Sequence, residues 1–142
     1  MGGILGAYSV FVLVIVFWPT PVDRPLQGTI TVVLENLHKA GVPRQVDYTF
    51  VEVAANVALF IPIGVLVALL VMPALWWVAI VYGLTFSLVI EFVQSVFLPQ
   101  RFASVGDLLS NSAGALIGGL IGTGIRWIYS AQKLPDCTAV EV

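Results

Sequence analysis

The sequence predicts an all-α fold: a polytopic membrane protein with a bundle of four transmembrane helices plus a short amphipathic surface helix in the first loop. Three observations carry this. Of 142 residues, 59% are hydrophobic and 10% charged, with a mean hydropathy of +1.02; a soluble domain has roughly 45–50% apolar and about 25% charged residues. Four continuous apolar runs approach or exceed the ~20 residues a helix needs to cross roughly 30 Å of hydrocarbon. None alternates with the period of two that marks a membrane β-barrel. This composition excludes a water-soluble globule and a disordered chain. With 6 basic against 8 acidic residues and a net charge of −2, no polybasic patch exists to hold nucleic acid or anionic headgroups. A single cysteine, Cys137, forms no intrachain disulfide and no zinc cage.

The length fits one domain, expected over residues 1–130, with a tail at 131–142. The first span is expected at 4–18. It has no basic n-region and ends in Phe17-Trp18-Pro19 rather than a small-residue cleavage site, which favours a retained span over a signal peptide. Pro19 and Pro21 stop it. In the long loop that follows, Leu26, Ile30, Val33, Leu34 and Leu37 recur at helical spacing, while Gln27, Thr31, Glu35, His38 and Lys39 face the other way. Asp23 caps the start and Gly41 with Pro43 marks the stop of this amphipathic segment, 26–40. It either lies on the membrane surface or packs over the mouth of the bundle.

The second span is expected at 50–72 and the third at 74–98, joined by a tight Met72-Pro73 turn. Pro99 ends the third, and a capping box from Ser104 to Asp107 opens the fourth, 108–129. Trp18, Tyr48 and Phe50 fall at one membrane border and Trp76, Trp77, Trp127 and Tyr129 at the other, as in an aromatic belt.

Alternating spans bring the intramembrane polar residues to one half of the bundle. Glu52 and Asn56 begin the second span, Ser87, Glu91, Gln94 and Ser95 share a stripe late in the third, and Asp107 and Asn111 begin the fourth. Arg101 lies in the loop between. An ionisable group in a span costs about 2.5–3.5 kcal/mol, so it needs a partner or a wet cavity. Glu91, seven residues before Leu98, lies roughly 10 Å deep at 1.5 Å per residue. Its expected partners are Asn56, Gln94 and Asn111 by hydrogen bond and Arg101 by charge. The binding set is therefore Asn56, Glu91, Gln94, Arg101, Asp107 and Asn111. Polar side chains also join membrane helices, and for Asn56, Ser87, Ser95 and Asn111 that reading weighs more. For Glu91 and Arg101 function weighs more, because Gln or Ser would join helices at lower cost. Glu52 and Asp47 are expected as solvated charges among headgroups, and His38 as a residue of the polar face.

Gly114, Gly118 and Gly122 place a small residue every fourth position on the last span, a helix-packing face; internal contact and homo-oligomer both stay open. No Gly-rich phosphate loop, HExxH, Gly-x-Ser-x-Gly or haem or iron–sulfur ligand set is present, so no cofactor and no metal site is expected. Four spans without inverted repeats argue against a transporter. The sole histidine lies outside the spans, against a Ser–His intramembrane protease.

Asn56 with Phe60, Pro62 and Gly64, then Ser87 with Glu91 and Gln94, then Arg101, Asp107, Asn111 and Gly114 form an ordered set across about half the chain. In order and spacing this resembles the VanZ-like family of bacterial membrane proteins, with its Asn…Phe-x-Pro-x-Gly, Ile-Glu-x-x-Gln and Arg…acid…Asn-x-x-Gly pattern. Ser104 and Gly106 stand where that family places further acids, which weakens any divalent-metal proposal. The resemblance implies a polytopic protein of the cell envelope; the family's namesake confers resistance to the glycopeptide teicoplanin, whose target is the cell-wall precursor.

The polar side carries Arg24, Lys39, Arg44 and Arg101 against Arg126 and Lys133 opposite, which by count puts it in the cytoplasm. A cell-wall role wants it outside. The reading adopted is the bacterial cytoplasmic membrane, polar face outside and both termini inside. Three functions follow. The first is a binding module for a lipid-linked cell-wall precursor or lipophilic glycopeptide. The second is an assembly protein using the glycine face. The third is an intramembrane enzyme with Glu91 as acid or base and Arg101 stabilising negative charge. The balance lies with binding and against an enzyme; the expected partners are the bilayer and that ligand.

Overall fold

The computed structural model describes residues 1–17, 27–97 and 104–132. Among these the chain is helical, without strands: α1 Gly2–Val16, α2 Gln27–Lys39, α3 Tyr48–Leu70, α4 Val78–Phe97 and α5 Val105–Gln132, with a 3-10 turn at Pro73–Leu75 before α4. Three segments are long and apolar enough to cross a membrane: α3, the stretch Pro73–Phe97, and α5. They support a multi-pass membrane protein. α1 has 15 residues, about 22 Å at 1.5 Å per residue against roughly 30 Å of hydrocarbon. Trp18, Pro19, Pro21 and Asp23 lie outside the described residues.

α5 is the central helix. It packs most extensively on α3 and next on α4. The reason is the glycine face. A Cβ at Gly114 or Gly118 would run into the carbonyl oxygens of Val57 and Ile61, and one at Gly122 would stand 2.8 Å from that of Val65. The face reserved by the sequence for a neighbour is thus filled by α3 of the same chain. Gly64 on α3 answers it by clearing the Ala115 carbonyl, and Gly119 clears Ala79 in the first turn of α4. Backbone-close packing of this kind replaces the hydrophobic drive that is absent between helices in lipid.

Around this contact Phe60, Ile63 and Val67 of α3, Ala79 and Ile90 of the α4 segment and Val12 of α1 form the core. Phe60 and Phe86 rings lie 6.0 Å apart, and Tyr82 stacks on Phe86 at 6.1 Å. α1 is fastened by two polar links: Tyr8 OH donates to the Leu59 carbonyl at 3.0 Å, and the Ser9 and Tyr82 hydroxyls meet at 3.3 Å. Leu88, Val89, Phe92 and Val96 of α4 are exposed, as befits a helix long and apolar enough to cross a membrane, and Phe11 and Val14 of α1 are exposed as well.

The helix ends show where local sequence decides structure. Gly41, at φ +100°, closes α2: its N–H bonds the His38 carbonyl and the Val42 N–H reaches back to Leu37, the Schellman pattern that favours glycine. His38 on α2 is half-buried, and its Nε2 bonds the Val46 carbonyl at 3.0 Å and ties the loop to α2. Asp47 is exposed, and its carboxylate also accepts the Phe50 N–H at 2.9 Å and caps α3. α2 buries Leu34 but leaves Val33 and Leu37 exposed, over an apolar cleft of about 500 Å³ shared with the first turns of α3.

Candidate functional site: a polar cluster at one end of the bundle

Helix direction gathers the site. Gln94 Nε2, late in α4, donates to the Val16 carbonyl at the end of α1 at 3.0 Å. Asn56 Nδ2, early in α3, donates to Asp107 Oδ1, early in α5, at 2.8 Å. The ends of α1 and α4 and the starts of α3 and α5 therefore share one end of the bundle. At the other end Arg126 donates to the Leu69 carbonyl at 3.1 Å and to that of Val71, satisfying acceptors that the C-terminus of α3 leaves without helical donors.

Within the polar end, two rungs join α4 to the start of α5. Asn111 Nδ2 donates to Ser87 Oγ at 2.9 Å. One turn towards the membrane border, Glu91 Oε2 accepts the backbone N–H of Ser104 at 3.1 Å, and Asp107 lies within electrostatic reach of it. Both carboxylates thus stand at the N-terminal end of α5, where negative charge is favourable.

The partners expected for Glu91 are each engaged elsewhere: Asn56 with Asp107, Gln94 with Val16 and Asn111 with Ser87. Gln94 is buried at 6% exposure against α1 and does not join the cluster. Arg101 lies outside the described residues. The expected capping box is replaced by a split arrangement. Ser104 Oγ accepts the Gly106 N–H at 3.1 Å, but the carboxylate that takes the Ser104 N–H is Glu91 from α4, since Asp107 turns to Asn56. Ser110 was not anticipated; it is buried and donates to the Asp107 carbonyl, and its place one position before Asn111 was the only signal. Among the described residues no three of His, Cys, Asp and Glu come together as a metal site.

The order in which α3, α4 and α5 deliver Asn56, Glu91, Asp107 and Asn111 follows the pattern noted in the sequence, and a family match extends it over most of the chain: the VanZ/LLP1 family model covers residues 5–126. The chain belongs to the VanZ/LLP1 family. The matched region runs from α1 into the last turns of α5 and contains every residue of the cluster, Arg101 included. No curated protein and no solved structure gives a significant match. Ser104 and Gly106, which stand in place of acids, bond Glu91 and one another, so their positions still serve the cluster through backbone N–H groups.

Proposed function

We propose that this VanZ/LLP1 chain is a cell-envelope binding module of four spans, α1 being the fourth, whose polar end recognises a lipid-linked cell-wall precursor or a lipophilic glycopeptide of the teicoplanin class. One observation carries the reading. Polar side chains from three helices (Asn56, Glu91, Asp107 and Asn111) are assembled at a single end of an otherwise apolar bundle. Glu91 is central because a neutral residue would accept the Ser104 N–H at far lower cost in a membrane. In this reading Arg101, placed by sequence between α4 and α5, binds phosphate or carboxylate with its planar donor fork. α2 rims the site in the outer leaflet of a bacterial cytoplasmic membrane.

The test uses the purified full chain in nanodiscs, titrated with a lipid-linked disaccharide-peptide precursor and with teicoplanin. Saturable binding is expected to one of them, weakened about tenfold or more in Arg101→Ala and in Glu91→Gln, the loss of one charge-assisted contact. Unchanged affinity in both variants overturns the proposal.

A further inference from the structure

Between α2 and the first turns of α3 lies the apolar cleft of about 500 Å³. Ile30, Val33, Leu34 and Leu37 form its α2 wall, and Ala54 and Ala55 line it from α3, where small side chains leave room. Among the lining residues Thr29 alone has a polar side chain. α2 packs sparsely, mainly on α3. The protein therefore leaves the gap open: Val33 is 50% exposed, Leu37 40% and Phe50, also on the lining, 54%.

The lining excludes most occupants. An ordered water needs about two to four polar partners, and this cleft offers almost none. A charged or hydrogen-bonding group meets the same deficit. A helix from another chain is too bulky. The α2 wall from Thr29 to Leu37 is about 12 Å long, and a helix ~10 Å across laid along it displaces roughly 900 Å³, nearly twice the space. A hydrocarbon chain is thinner and bends to fit. The position of the cleft supplies one. α3 is long and apolar enough to cross a membrane, and Asp47, exposed, caps its start. The α3 wall of the cleft begins with Phe50, within the first turn of that helix. Exposed Phe50 and Val53 carry the apolar surface of the cleft onto the outer face of the span.

We infer that this cleft takes one acyl chain of a bilayer phospholipid, which enters sideways from the leaflet where α3 begins. The chain fills the gap between the two helices and covers the apolar face of α2 that the protein leaves bare. The inference requires no ligand at the polar cluster.

The experiment places the full chain in phosphatidylcholine nanodiscs that include a phosphatidylcholine with a diazirine on one acyl chain. The discs are irradiated and adducts are mapped by peptide mass spectrometry. Leu88 and Phe92, exposed on α4, report contact with bulk lipid. Adducts are expected there and also on Leu34, which is only 9% exposed but lines the cleft. Ala54→Phe fills the cleft from the α3 wall. It is expected to lower the α2 adducts severalfold and to leave those on α4 unchanged. If Ala54→Phe fails to fold by thermal melting, Val33→Gln, which brings a polar amide to the exposed α2 wall, takes its place with the same expectation. Labelling confined to α4, or α2 adducts that persist in the folded variant, overturns the inference. A dimer cross-linked through α2, with the cleft unlabelled, assigns the cleft to a second copy of the chain and overturns it as well.

Discussion

Glu91 Oε2 accepts the backbone N–H of Ser104 at 3.1 Å, so a carboxylate on α4 holds the first turn of α5. The bond crosses between two spans and ends on a helix N-terminus, where backbone N–H groups have no intrahelical acceptor. This makes the most expensive side chain in the bundle a structural anchor as well as a site residue, and the two roles separate by substitution. Glu91→Gln retains an acceptor oxygen, whereas Glu91→Leu leaves the Ser104 N–H unmet and removes a charge favourable to the α5 dipole. Glu91→Leu is expected to cost about 1 kcal/mol more than Glu91→Gln, read by denaturant unfolding in mixed micelles.

Gly118 tests the α3–α5 contact. A Cβ there runs into the Ile61 carbonyl, which is backbone and has little room to yield. Gly118→Ala is expected to destabilise by about 1–3 kcal/mol, the range of overpacked cores, and Gly118→Leu to prevent folding. Unfolding curves together with particle size check this. An unchanged fold with a smaller particle indicates that the face joins separate chains instead.

The Ser87–Asn111 pair is a buried interhelical hydrogen bond of 2.9 Å. A double-mutant cycle with Ser87→Ala and Asn111→Ala is expected to give a coupling of about 0.6–1.7 kcal/mol, the span measured for such bonds in membrane proteins. Zero coupling means that the two side chains are not partners.

Arg126 donates to the Leu69 and Val71 carbonyls at the far end of the bundle. Arg126→Met keeps the stem and removes the donors. About 1–3 kcal/mol of stability is expected to be lost, with hydrogen exchange rising in the last turn of α3 and no effect on ligand affinity.

Much of this architecture was legible in the chain. Of the four apolar runs expected to span, three form helices long and apolar enough to do so, because continuous hydrophobicity over about 20 residues has few other uses, while the first forms a shorter helix, Gly2–Val16. The shared end of the polar residues followed from alternating direction alone. Gly41 announced the end of α2 because that turn needs a positive φ. The pairings were not legible, since they depend on the register between helices. Asn56 could have met Glu91 or Asp107, and only the depth at which glycine lets α5 sink against α3 decides for Asp107. Asp47 was legible in principle, as an acidic residue directly before a helical apolar run is the ordinary signal of an N-cap. The partner of Gln94 was not, because the Val16 carbonyl becomes an acceptor only where α1 ends.

The central claim is that α3, α4 and α5 bring their polar side chains to one end of the bundle, and thiol cross-linking tests it most directly. In a Cys137→Ser background, Asn56→Cys/Asp107→Cys and Ser87→Cys/Asn111→Cys are treated in membranes with a short bifunctional maleimide, beside Asn56→Cys/Arg126→Cys as a far pair. Efficient linking of the first two pairs and none of the third is the predicted result. Linking of residue 56 to 126 but not to 107 would contradict the account.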